Sequence, residues 1–159
     1  MAMKKFINDP ANLTKELLEG LVSCYKGKVK LVSDRIVMRA TPKDESKVAI
    51  VTLGGSGHEP ALSGYVGEGM LDASVVGDVF AAPGAPKLLE ALRLLKRDAG
   101  IVLVTLNHDG DRMSASKAAP TVWASTVAVR WPSVNRRSGV GILISIGIAL
   151  PFRASQSPS

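Results

Sequence analysis

Two short apolar runs constrain this chain more than any other feature. Residues 48–53 read Val-Ala-Ile-Val-Thr-Leu, and residues 100–106 read Gly-Ile-Val-Leu-Val-Thr-Leu. A strand with one wet face alternates apolar and polar residues, whereas a strand covered on both faces is apolar throughout. Both runs therefore predict strands inside a sheet with layers on either side. Residues 73–80, Ala-Ser-Val-Val-Gly-Asp-Val-Phe, predict a further strand with a Gly-Asp break. Between the strands, Pro86 to Arg97 places Leu88, Leu89, Leu92 and Leu95 on one helical face. Residues 9–26 form a second amphipathic pattern. It opens with Asp9 as N-cap and Pro10 at the first helical position, carries Leu13, Leu17, Leu18, Leu21 and Val22 on its stripe, and stops at Gly27. Residues 29–39 read as short strands about a turn at Ser33-Asp34, followed by a polar loop over 40–47. Strands alternating with helices give an α/β fold: a layered, largely parallel sheet with flanking helices.

Composition narrows the function classes. A chain of 159 residues has room for one ordinary domain, and its 46% apolar content excludes overall disorder. With three Phe, two Tyr and two Trp, the core has to be built from Val, Leu, Ile and Ala. The single Cys24 excludes a disulfide framework and a Cys-rich zinc site. No charged start followed by an apolar segment marks a secretory signal, so the expected compartment is the cytoplasm. Lys and Arg outnumber Asp and Glu by 20 to 14. The last acid is Asp111, and up to it the charges balance; the whole excess lies in Arg112, Lys117, Arg130, Arg136, Arg137 and Arg153. Those six are too thinly spread for a phosphate-backbone footprint, which argues against nucleic acid. Residues 139–150 are a twelve-residue apolar stretch. A membrane span needs about 20, so the stretch reads as a short interfacial or buried segment and no membrane partner is expected.

The chemistry-bearing residues cluster where the two buried runs stop. In open α/β sheets, ligands bind outside the carboxyl ends of the strands. The first run ends in Gly54-Gly55-Ser56-Gly57-His58-Glu59-Pro60. Its glycines allow backbone N–H groups to approach a phosphate or a small polyol; alternatively it is a tight turn with a surface imidazole. It is neither a Walker loop nor a dinucleotide fingerprint. The second run ends in Asn107-His108-Asp109-Gly110-Asp111. Two carboxylates and an imidazole there could hold Mg²⁺ or act as acid and base, or they could form an Asx turn with Asp111 capping a helix that starts near Arg112. If the two runs are neighbours, His58 and Asp111 face one crevice. An imidazole and a carboxylate converging on a hydroxyl is a general-base arrangement.

Several motifs occur in order: Gly54-to-Pro60, Gly64-Tyr65-Val66-Gly67-Glu68-Gly69-Met70-Leu71, Gly77-Asp78-Val79-Phe80, and Asn-x-x-Gly-Asp at 107–111, after an opening Met3-Lys4-Lys5-Phe6-Ile7-Asn8-Asp9-Pro10. In this, residues 3–119 resemble the substrate-binding K subunit (DhaK domain) of dihydroxyacetone (glycerone) kinases. The resemblance implies an incomplete DhaK-type domain over 1–119 that binds and phosphorylates a short-chain ketose in glycerol and ketose catabolism. It implies that Gly55, Ser56, Gly57, His58 and Asp111 bind the ketose. Asp111 would be the general base, with His58 orienting and stabilising. It implies no metal and no cofactor on this chain: ATP, or ADP-Mg recharged by a phosphotransfer partner, would sit on a nucleotide-binding L-type subunit or domain. Full-length relatives are expected to be homodimers.

The departures are specific. Many members have Lys-Asn-Tyr-Thr-Gly-Asp where this chain has Leu106-Asn107-His108-Asp109-Gly110-Asp111, and often Ser where Ala82 stands. A four-carbon ketose is therefore a credible alternative substrate. Family members run about twice as long and carry a later His that forms a hemiaminal with the ketone; neither His58 nor His108 matches it. Residues 120–159 lose acids and the family pattern, which reads as a divergent tail from a frameshift or truncation, with 139–150 extended against the sheet. The rival readings are a non-catalytic ketose-binding regulatory module and an inactive fragment.

Overall fold

The structure, a computed structural model, describes residues 4–106 and 108–122 together with the backbone of two later strands, 127–129 and 142–147. The chain runs through α1 (Leu13–Cys24), β1 (Val29–Val32), β2 (Ile36–Arg39), β3 (Ala49–Ser56), β4 (Ala73–Val79), α2 (Ala85–Leu94), β5 (Ile101–Leu106), α3 (Asp109–Ala118), β6 (Val127–Val129) and β7 (Ile142–Gly147). The strand order is β1-β2-β4-β3-β5-β7-β6. β3 sits between β4 and β5 and is parallel to both. The parallel arrangement is confined to this central trio, because β2 joins β4 and β7 joins β5 antiparallel. The α/β layering follows the sequence pattern; the sheet as a whole is mixed.

The apolar runs are central for the reason their composition suggests. Val51, Leu53, Val75 and Leu103 are fully or almost fully buried under Leu88 and Leu92 of α2 and Ala115 of α3. On the opposite face Leu18 of α1 packs with Val29, Val37 and Val76. Adjacent Val75 and Val76 belong to different cores because successive strand residues point to opposite faces. Each fully buried Leu contributes about 1.5–3 kcal/mol relative to exposure.

Local signals set the ends. Asp9 accepts a 2.9 Å hydrogen bond from the Ala11 amide and starts a short 3-10 turn over Pro10–Asn12 that leads into α1. Lys26 and Gly27 adopt left-handed conformations that close the helix. β3 outruns the apolar stretch: Gly54 and Ser56 still pair with β4, with a bulge between them. A Cβ on Gly55 would stand 2.7 Å from the Ala81 amide nitrogen, so only glycine lets these two backbones lie so close. The segment expected to be extended, 139–150, contains β7, which pairs with β5 from Ile101↔Gly147 to Leu106↔Ile142. It joins the sheet as a strand between β5 and β6 rather than lying on the sheet's face. Asn107, Trp123, Trp131 and residues 151–159 lie outside the described residues.

Candidate active site

Because β3 and β5 are parallel neighbours, their carboxyl ends open on the same edge of the sheet. A cleft of about 540 Å³ lies there. Its polar side is made by His58, His108, Asp109 and Asp111, and its apolar side by Phe80, Ala81, Ala82 and Leu106. Among the described residues no Lys or Arg lines it. His58 and Asp111 thus share one crevice, as the positions of the two strand ends required.

The helix after β5 starts earlier than the capping reading placed it. α3 begins at Asp109 with His108 at the N-cap, so Asp111 is inside the first turn and does not cap the helix. This position turns the carboxylate inward. Asp111 is 3% exposed, and its Oδ1 is buried without a hydrogen-bond partner among the described residues. Burial raises its pKa above the ordinary carboxylate value, while the nearby His108 and His58 imidazoles pull the other way. A buried polar atom left unpaired costs about 1–3 kcal/mol, a cost that fits a group awaiting a donor from a ligand.

A family model described as the Dak1 domain matches residues 19–135. The chain belongs to the Dak1 domain family. Its match reaches past Ala119. The chain is 41% identical over 119 residues to the dihydroxyacetone-binding subunit DhaK of the PTS-dependent dihydroxyacetone kinase of Lactococcus lactis, covering 74% of this chain and 36% of that protein. Among solved structures it resembles the dihydroxyacetone kinase of C. freundii in complex with AMP-PNP and Mg²⁺, at 36% identity and a TM-score of 0.71, over 76% of this chain and 23% of that one. It also resembles the dihydroxyacetone kinase operon co-activator Dha-DhaQ, at 33% identity and a TM-score of 0.64, over 68% and 33% of the two chains. The chain spans less than half the length of the relatives it matches.

Within this Dak1 domain the expected site residues divide into two groups. Gly55, His58 and Asp111 line the cleft. Ser56 does not: it is fully buried and its Oγ lies 3.2 Å from Thr14 Oγ1 of α1. Ser56 stands three residues after Leu53, so strand alternation turns its side chain to the opposite face, toward α1, where it supports the loop. Gly57 is also away from the cleft lining; at φ +98 it donates its N–H to Glu59 Oε2 at 2.8 Å. That bond ties up an amide which the glycine-rich reading had offered to a phosphate. Sequence reasoning passed over Phe80 as a site residue. Its signal was an aromatic ending a strand beside Gly-Asp, in a chain with only three Phe. Among the described residues no cluster of three or more His, Cys, Asp or Glu side chains could hold a metal ion, and no helix is long and apolar enough to cross a membrane.

Proposed function

We propose that this chain is the ketose-binding part of a glycerone kinase, taking dihydroxyacetone or a related three- or four-carbon ketose. The observation that carries the reading is Asp111: a buried carboxylate oxygen without a donor, in a cleft that also presents His58 and His108. A cleft with two carboxylates and, among the described residues, no cation suits an uncharged polyhydroxy ligand better than a phosphate. A ketose hydroxyl donating to Asp111 Oδ1 satisfies the orphaned acceptor. The raised pKa of Asp111 makes it a better proton acceptor than an ordinary carboxylate, so it takes the hydroxyl proton as the oxygen is phosphorylated. His58, on the facing strand end, orients the hydroxyl, and Gly55, Ser56 and Gly57 shape the loop that holds it.

Among the described residues the same lining offers no cation to a nucleoside triphosphate. We read the donor, ATP or an ADP-Mg recharged by a phosphotransfer partner, as held by a separate L-type subunit or domain, in line with the cytoplasmic glycerol and ketose catabolism expected of the family. Full-length relatives would pair as homodimers. The 159-residue chain by itself is expected to bind ketose and to turn it over poorly, because neither His58 nor His108 matches the hemiaminal-forming His. The likeness to an operon co-activator supports a second reading, a sensor that binds ketose without phosphorylating it.

Titration calorimetry of the chain with dihydroxyacetone and erythrulose, paired with a phosphorylation assay in the presence of an L-type partner, tests this. Binding that Asp111→Asn weakens at least about tenfold, the order expected for one hydrogen bond to a charged group, supports the site. Measurable phosphoryl transfer, lost in Asp111→Asn, supports the kinase reading, and binding without any transfer supports the sensor. No binding of either ketose overturns both.

A further inference from the structure

Phe80 stands out in the cleft. Its backbone is left-handed at φ 54, which a bulky side chain rarely adopts, and the residue as a whole is 70% exposed. The surrounding structure holds it there. The Phe80 amide donates to the Ser56 carbonyl at 2.8 Å, and the next amide, of Ala81, donates to the Asp78 carbonyl at 3.0 Å. Asp78 is itself held by Arg35 Nη2 at 2.7 Å. The ring lies over Gly57: a Cβ there would meet three Phe80 ring carbons at 3.0–3.4 Å. It also meets the His58 imidazole edge-to-face, with centroids 5.1 Å apart and planes at 71°. An apolar ring kept out of the core by an uncommon backbone, against an imidazole in a cleft, is the kind of local departure that function retains.

We propose that Phe80 is the positioning residue for His58, holding the imidazole in the orientation that meets the ligand hydroxyl. His58 is exposed, and it follows Gly57, whose backbone is the most permissive in the loop. Without a wall, its ring would sample several rotamers. The Phe80 face removes that freedom on one side, and the absence of a side chain at Gly57 is what lets the Phe80 ring come close enough. The effect on ligand affinity rests on the ketose-binding reading above; the contact between the rings does not.

The test uses the full 159-residue chain in Phe80→Leu and Phe80→Tyr forms, with His108→Gln to assign the two imidazoles. In the wild-type chain the His58 ring protons are expected to carry the ring-current shift of Phe80. Phe80→Leu should return them toward free-imidazole positions and weaken dihydroxyacetone binding about tenfold, the size of a lost aromatic pair. Phe80→Tyr should keep the shift and bind within about twofold of wild type. Should Phe80→Leu fail to fold, Phe80→Gly, which accepts the backbone without strain, serves in its place. His58 resonances indifferent to the loss of the ring, or an equal loss of binding in the Leu and Tyr forms, overturn the proposal. If the wild-type chain binds no ketose, the ketose reading falls, and the resonances alone decide whether Phe80 holds His58.

Discussion

Two aspartates flank the parallel strands at opposite ends. Asp72 immediately precedes β4, and Asp111 follows β5. Both are almost completely buried, at 2% and 3% exposure. Their surroundings differ completely. Asp72 Oδ1 accepts from Arg39 at 3.1 Å; its Oδ2 accepts from Lys43 at 2.8 Å and from the Ile50 amide at 2.8 Å. Asp111 has an oxygen with no donor among the described residues. The first carboxylate ties β2, the 40–47 loop and β3 together; the second keeps an oxygen without a donor among the described residues. Burial alone would have ranked them equally. Whether the partners are already present separates a structural carboxylate from a candidate catalytic one.

The largest effect is expected where the partners are complete. Asp72→Ala should destabilise the fold by about 3–5 kcal/mol, because it strands Arg39 and Lys43 beside a buried backbone amide; urea unfolding read by circular dichroism measures it. A loss below about 1 kcal/mol, the range of exposed pairs, would break the contrast.

Asp111 should behave in the opposite sense. Its folded pKa lies above its unfolded value, so the native state favours the protonated form, and ionisation on going up in pH costs stability. Asp111→Asn should therefore be more stable than wild type at neutral pH, by about 1–3 kcal/mol. The two unfolding curves should converge as pH falls through the raised pKa toward the unfolded carboxylate value, near 4. A variant less stable than wild type at pH 7 would mean that the carboxylate has a stabilising donor after all.

The smallest effect concerns the loop between them. Thr14→Val leaves the buried Ser56 hydroxyl without its partner and should cost about 1 kcal/mol, restored by Thr14→Ser. Denaturant midpoints of the three forms, with unchanged slopes, would show it. If Thr14→Val also weakens ketose binding while Thr14→Ser does not, the α1 contact reaches the His58 loop.

The central strands and the helices were legible in the residues. A continuous apolar run can be satisfied only by cover on both faces, and the 88-89-92-95 leucine spacing only by a helix lying on that cover. The meeting of His58 with Asp111 was legible too, because both follow runs of the central type, and parallel neighbours present their carboxyl ends together. What the tertiary structure alone decided depends on contacts distant in sequence. The Ser56 hydroxyl meets Thr14, 42 residues away, because α1 covers the sheet face to which strand alternation turns it. Phe80 became a wall of the cleft because Gly57, on another strand end, leaves space for its ring. Asp111 lost its capping role because α3 begins two residues before it. Local spacing specifies which elements form and which way they run; the direction of a side chain at an element's end depends on what the rest of the chain packs beside it.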